Sequence, residues 1–256
     1  MVTTIPTPQS EAEATIVYPS SDGEPVAETF VHLYAMLVTI EVLTQYLQGQ
    51  QATVLGNQFM YYAQGFPRLR VAPDVMVIFG VAPGGRDNYK IWEEGEVPSV
   101  VFEMTSQGTR SNDEVFKKTL YAQLGVQKYW LFDPKEEWLE PALQGYRLRG
   151  EEYEPISDGI SHALKLRLVH EGQLIGFYRQ DNDERLLIPS ELAVALEQEA
   201  LARQQAERKA EEARQRAEEA RQRAETAEQA KLETQKKLER LQARLQEMGI
   251  DPDDIG

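Results

Sequence analysis

The sequence predicts a mixed α/β (α+β) domain, built on a central sheet flanked by helices, followed by a long C-terminal coiled-coil helix. Three observations carry this prediction. An apolar period of three to four residues runs from Val26 to Leu47 and stops at Gly49. A strand-like run, a helical stretch and a second strand-like run follow one another between Pro98 and Pro134. Finally, the block EEARQRA stands twice without change, at 211–217 and 218–224.

Residues 1–20 mix Pro, Thr, Ser and Glu with no apolar period and are expected to be unstructured. Ser21 or Asp22 can cap a helix that tolerates Pro25 in its first turn. Val26, Phe30, Leu33, Leu37, Ile40, Leu43 and Leu47 give that helix a wide apolar face. After Gly49 come short runs rich in β-branched and aromatic residues: ATVLG, NQFMYYA, RLRVAPDVMVIFG, PSVVFEMTS and QKYWLFDP. Each is bounded by Gly, Pro or Asn, as strands are. Between the last two, TRSNDEVFKKTLYAQLGV carries Val115, Leu120 and Leu124 before the terminator Gly125, which predicts a helix and, with its flanking strands, a crossover unit. WLEPALQGYRLR, EEYEPIS and LKLRLVHEGQLIGFYR read as antiparallel strands and hairpins, completing a domain over residues 21–188.

Pro189-Ser190 opens the last helix, residues 189–248, ahead of an acidic tail at 249–256. Its apolar positions share one register: Ala206, Ala210, Ala213, Ala217, Ala220, Ala224 and Ala227, then Leu238, Leu241, Leu245 and Met248, with Lys231 and Thr234 in the seam between. Glu211 with Arg214 and Glu212 with Arg216 set opposite charges three and four residues apart. At about 1.5 Å per residue the helix is roughly 90 Å long. An alanine seam buries little, and a solitary salt-bridged helix is the alternative; the leucine stripe argues for association with a second copy.

The 256 residues contain no cysteine, which removes disulfides, thiolate nucleophiles and thiolate zinc sites together. Nothing at the start reads as a secretory leader, and the longest apolar stretch, Val31 to Leu43, contains His32 and Glu41 and is too short to span a bilayer. A cytoplasmic protein without a membrane partner is expected. The formal net charge is -15. Residues 1–188 hold 15 basic and 26 acidic side chains, whereas residues 189–248 are nearly balanced at 12 and 13. Such an acidic domain repels polyanions unless its cations are clustered, and no basic helix or base-reading element is legible.

Two acids stand out because each sits at or within a strongly apolar strand: Asp74 in VAPDVMVIFG and Glu103 in PSVVFEMTS. Val75, Val77 and Phe79 alternate with Met76 and Ile78 on a strand buried on both faces, where an acid is expensive unless compensated. If the two strands are neighbours, both carboxylates can converge at one end of the sheet and bind a hard divalent cation. The next helix then supplies Asp113, Lys117 and Tyr121, spaced four apart and so stacked on one face. A lysine there can orient or deprotonate a water, or stabilise charge on a phosphate. The plainer alternatives are that Asp74 is a strand-start turn residue, that Glu103 pairs with an arginine and that Lys117 lies on a helix surface. Gly84-Gly85 reads as a turn rather than a phosphate cradle, and Trp92, Trp130 and Trp138 as packing residues. His32, His162 and His170 form no helical ligand pair, which argues against a histidine metal site.

The strings VAPDVMVIFG, PSVVFEMTSQGTR and DEVFKKTLYAQLGVQKYWLFDP, in that order, resemble the Uma-type family of predicted bacterial restriction endonucleases, within the PD-(D/E)XK nuclease superfamily. The likeness runs from about Asp22 to Tyr178 and extends to GIDPD at 249–253. It implies a restriction-endonuclease-like fold with Asp74 as the motif aspartate, Glu103 as the second metal ligand and the backbone carbonyl of Met104 as a third. Glu28 fits the acid often added from the first helix, and Mg2+ or Mn2+ is the implied cofactor. The superfamily's lysine stands two residues after the glutamate, where this chain has Thr105. The family's pattern places it on the following helix, matching Lys117, with Lys118 the neighbouring alternative. Where family members often show Ser-Pro after the glutamate, this chain has Ser106-Gln107, and Ser106 is a candidate supporting residue or simply the end of the strand.

The function so implied is a Mg-dependent endonuclease that hydrolyses DNA phosphodiesters through catalytic Asp74, Glu103 and Lys117 and forms a homo-oligomer through its coil. A catalytically inactive nuclease fold that oligomerises and recruits partners is the rival, motivated by the acidic domain and Thr105. A metal-dependent hydrolase of another phosphoester is a third.

Overall fold

The computed structural model describes residues 16–21, 23 and 28–247, which fall into two units, one ending at Leu192 and one starting at Ala193. Helix α1 (Phe30–Tyr46) is capped by Thr29, whose hydroxyl accepts from the His32 N–H. The cap expected at Ser21 or Asp22 is therefore not used: the Ser21 hydroxyl accepts from Gly23 N–H instead, while Asp22, Pro25 and Val26 lie outside the described residues. The expected apolar face also shifts. His32, Ala35, Met36, Thr39, Val42 and Leu43 turn inward, whereas Phe30, Leu33 and Leu37 face solvent. The helix is apolar almost all round, so periodicity alone does not select a face; small Ala35 and Thr39 lie on the buried one.

The next elements are β1 (Ala52–Leu55), β2 (Met60–Tyr61), β3 (Arg70–Val71), β4 (Val75–Phe79), β5 (Tyr89–Lys90), the short helix α2 (Ile91–Glu94) and β6 (Val100–Met104). A π-helical turn (Asn112–Lys117) runs into α3 (Lys118–Leu124), which Gly125 ends in a left-handed conformation. Then follow β7 (Lys128–Phe132), β8 (Leu143–Arg149), β9 (Glu152–Ile156), β10 (Ile160–Ser161), β11 (Leu166–Glu171), β12 (Leu174–Arg179) and helix α4 (Pro189–Glu247). The main sheet has the order β1-β4-β6-β7-β8-β9, with β6 and β7 parallel and the other pairs antiparallel. The expected crossover unit thus joins β6 to β7. The restriction-endonuclease-like expectation is met in its elements, a mixed sheet flanked by helices and followed by a long helix; two smaller sheets, β3-β2-β5 and β10-β11-β12, accompany it.

Alternation divides the core. Val75, Val77, Phe102, Trp130 and Phe132 pack with α1 and the β11–β12 hairpin, while Met76, Ile78, Val101, Tyr129 and Leu131 pack with Tyr121 of α3. Residues Val75 to Ile78 and Val100 to Met104 have no exposed surface, as expected of strands covered on both faces. The N-terminal segment is ordered earlier than expected. Tyr18 packs against Tyr61 and Trp92, its hydroxyl accepts from Gly65 N–H, and the Pro19 carbonyl accepts from Tyr61. These contacts place Tyr18 and Pro19, while the rest of the stretch expected to be coil, residues 1–15, lies outside the described residues.

Helix α4 is one continuous run of 59 residues. Arg216 reaches Glu212 and Arg223 reaches Glu219 in the repeated blocks, and Leu238 and Leu241 are exposed in the single chain.

Gly145 lies opposite Trp130 across β7 and β8, and a Cβ there would overlap the indole. Gly145→Ala is expected to destabilise the domain by roughly 1–3 kcal/mol, as overpacking does. Urea denaturation checks this; an unchanged midpoint would show that the Trp130 ring shifts freely.

Candidate active site

The register brings the two expected acids together. Val75 faces Phe102 and Met76 faces Val101, so one further step sets Asp74 opposite Glu103 at the end of the β4–β6 ladder. Directly opposed residues of an antiparallel pair share a face and have Cβ atoms about 5 Å apart. Asp74 Oδ2 accepts a 2.6 Å hydrogen bond from Met104 N–H, which ties the acid before β4 to the last residue of β6. Asp74 is therefore more than a turn residue.

Glu103 is fully buried, and its partners come from the crossover helix. Lys117 Nζ donates to Glu103 Oε2 at 2.8 Å, and the Tyr121 hydroxyl donates to Glu103 Oε1 at 2.7 Å. Lys117 Nζ also stands 3.0 Å from Asp113 Oδ1. That contact is an ion pair without hydrogen-bond alignment, since both Asp113 oxygens lack a hydrogen-bond partner among the described residues. Asp113, Lys117 and Tyr121 form the inward stripe expected from their spacing. Val115, expected in the apolar stripe of this helix, is 65% exposed instead. The Tyr129 hydroxyl donates to the Asp113 carbonyl at 2.9 Å and so anchors the π turn against the sheet. π turns inside helices are frequent at functional sites.

Lys118, the alternative lysine, points elsewhere, its ammonium 3.4 Å from the centre of the Tyr146 ring. Thr105, in the place of the superfamily lysine, is buried with its hydroxyl unpartnered among the described residues. Ser106 shares hydroxyl and N–H contacts with the Thr109 hydroxyl, and its carbonyl accepts from Arg110 N–H. It is the turn that starts the helix. Met104 supplies the last carbonyl of β6.

His32 is the residue that sequence reasoning set aside. Its Nε2 lies 3.6 Å from Glu28 Oε2 and 3.7 Å from Asp74 Oδ2, which joins the expected Glu28 to the cluster. A histidine four residues after a candidate acid is a visible signal, since that spacing keeps both on one side of the chain. The search for a pair of histidines passes over it.

Burial pushes the Glu103 carboxyl up to about 8, against the opposing pull of Lys117, with Asp74 and Asp113 adding to the rise. Burial likewise raises Asp113 despite Lys117. Burial works against a charged Lys117, but Glu103, Asp113 and Asp74 outweigh it and hold the ammonium charged well above the usual lysine range. His32 follows the same balance: its burial is overcome by Asp74 and Glu28, and its proton is held more tightly than usual.

Four acids thus surround one lysine and one histidine. Four carboxylates against two cations are a donor set of the kind a hard divalent cation takes, although Asp113 is engaged by Lys117. The side chains stand as a closed ion-pair network around Lys117, and among the described residues no three acid or imidazole groups converge on one point.

The sequence profile of the Uma2 family, described as "Putative restriction endonuclease", matches residues 9–174. No curated protein matches the chain. Among solved structures, the chain is similar to the crystal structure of "a putative nuclease belonging to DUF820" from Anabaena variabilis. That likeness has a TM-score of 0.40 and 16% identity and covers 59% of this chain and 79% of the other.

Glu103, Asp113 and His32 all hold protons more tightly than their ordinary values, so the folded domain binds more protons than the unfolded chain as pH rises through the window from about 4.5 to about 8. Stability is expected to fall with rising pH across that window. Denaturant midpoints from pH 5 to 9 check this, with a shallower slope expected for Glu103→Gln; a midpoint that climbs with pH would contradict the network.

Proposed function

The chain belongs to the Uma2 family of restriction-endonuclease-like proteins, and from that premise we propose that it is a divalent-metal-dependent endonuclease hydrolysing DNA phosphodiesters. The observation that carries the reading is the pairing of Asp74 and Glu103 across β4 and β6, with Lys117 on Glu103 at 2.8 Å. In this reading Asp74, Glu103 and the Met104 carbonyl would hold Mg2+ or Mn2+, with Glu28 linked to the cluster through His32. When bound, the ion would supply charge neutralisation at the phosphodiester.

The chain's own residues divide the remaining work. Lys117 stays charged at neutral pH, so of the roles open to it the geometry favours hydrogen-bond donor to a phosphate oxygen over general base. Tyr121 positions Glu103 by holding its second oxygen. Asp113 keeps the ammonium of Lys117 beside Glu103. The exposed Leu238 and Leu241 of α4 support association of two copies, which would let two sites address two strands.

Nicking of supercoiled plasmid at low salt with Mg2+ or Mn2+ tests the reading. Wild type is expected to nick, Asp74→Asn and Glu103→Gln to lose on the order of a hundredfold or more, and Tyr121→Phe to lose about tenfold. Folded Glu103→Gln that cleaves as fast as wild type would sink the assignment. Absence of cleavage with any metal would favour the non-catalytic interaction protein, for which the acidic domain speaks.

A further inference from the structure

The chain passes from β2 to β3 through two consecutive turns. In the first, Phe66 N–H donates to the Ala63 carbonyl and Gly65 takes a φ of 87°, the left-handed value a type II turn requires at its third residue. In the second, Leu69 N–H donates to the Phe66 carbonyl at 2.9 Å, and Pro67 holds the second position, where its fixed φ suits a turn. The loop is braced from its base. Tyr62 N–H donates to the Leu69 carbonyl at 3.3 Å and Gly65 N–H to the Tyr18 hydroxyl at 2.7 Å. Arg70 Nη1 donates to the Pro67 carbonyl at 3.1 Å while its guanidinium lies 4.2 Å from the centre of the Phe59 ring. At the tip, a Cβ on Gly65 would meet nothing within 4 Å, so this side of the turn is open to solvent.

What this rigid tip presents is not what the turns need. Gly65, Pro67 and the backbone satisfy them, yet Phe66 is 62% exposed, Leu69 is 40% exposed, and the exposed Arg68 stands between. Single apolar residues on a surface need no explanation, but two with an arginine on one preorganised turn mark a contact. The cations are free to meet an anion. In the same small sheet Arg86 is held by Glu94 and Lys90 by Glu93, whereas neither Arg68 nor Arg70 has a carboxylate partner among the described residues. Shape and charge select the occupant. A second copy would dock through a broad face of about 800 Å² per partner, which three side chains on a turn do not supply. A DNA duplex offers phosphates to arginine and, from its minor groove, base steps into which Phe or Leu can wedge. The place agrees: Leu69 precedes Asp74 by five residues, so even a fully extended chain sets the two no more than roughly 17 Å apart.

We propose that the β2–β3 turn is a DNA-deforming contact: Arg68 meets a backbone phosphate, and Phe66, with Leu69 beside it, wedges between base pairs from the minor groove near the phosphodiester to be cut. The inference rests on the nuclease reading for its partner and adds that the duplex is held by deformation rather than by reading its bases. It also gives an acidic domain a defined place at which to tolerate a polyanion.

The test uses the full chain in EDTA at low salt, so that binding is read without cleavage. Fluorescence anisotropy follows a short labelled duplex, and a second duplex carries a fluorescent adenine analogue that brightens on unstacking. Wild type is expected to bind the first and brighten the second. Arg68→Gln is expected to weaken binding about tenfold and to lower the slope of log affinity against log salt by about one. Phe66→Ala is expected to weaken binding about tenfold and to abolish the brightening, with Phe66→Leu close to wild type because it keeps an apolar wedge. Circular dichroism confirms that each variant is folded. No duplex binding, no brightening by wild type, or unchanged affinity and brightening in folded Phe66→Ala and Arg68→Gln would overturn the inference. So would a loss of self-association in Phe66→Ala, read by sedimentation, with duplex binding intact. Plasmid nicking by the same preparations separates the two readings. Nicking with unchanged duplex binding in the variants removes the wedge alone. Binding and brightening lost in the variants, without nicking by wild type, leave the wedge and remove the nuclease.

Discussion

A carboxylate with no exposed surface, Glu103 in the middle of the sheet, sets the terms for its surroundings. Left unpaired, such a group costs several kcal/mol, and removing one partner of a buried pair costs about 3–5 kcal/mol. Its two partners must therefore arrive from outside the strand, and both come from the segment that crosses from β6 to β7. That requirement accounts for the unusual helix, which turns its polar Asp113, Lys117 and Tyr121 inward and leaves Val115 and Phe116 in solvent. It also accounts for the Tyr129 hydroxyl on the Asp113 carbonyl, which pins the wider π turn to the sheet.

Asp74 extends the same network to the opposite side. Its bond to Met104 N–H closes the end of the β4–β6 ladder, and His32 reaches it from α1, so both faces of the sheet meet at this corner. The network is short of positive charge. Lys117 and His32 stand against Glu28, Asp74, Glu103 and Asp113, and each acid raises the proton affinity of its neighbours. A site so charged holds protons or takes a cation, and the proposed endonuclease reading takes the second as its premise. The acidity of the domain, an objection to casual DNA binding, is in part this cluster.

Much of this was legible in the residues. Acids among β-branched runs are conspicuous, and the four-residue spacing of Asp113, Lys117 and Tyr121 aligns them on any helix. The order strand, helix, strand predicts the parallel β6–β7 pair. What was not legible depended on choices the sequence leaves degenerate. Helix α1 is apolar on nearly every side, so its period did not reveal that Phe30, Leu33 and Leu37 face outward. Lys117 and Lys118 are adjacent and point different ways from the helix, and the fold sets Lys117 toward Glu103 and Lys118 over the Tyr146 ring. Ordering of Tyr18 depends on a distant aromatic pocket. His32 was hidden by the expectation that histidines act in pairs.

The central claim of the proposed function is that Glu103 and Asp74 together take a divalent cation, with Glu103 giving up its proton as the ion binds. Calorimetric titration of Mn2+ near neutral pH, in two buffers of different ionisation enthalpy, measures both the binding and the protons released. Binding to wild type with release of about one proton, absent in Glu103→Gln, is the expected result. No binding, or binding with the same proton count in Glu103→Gln, would contradict the account.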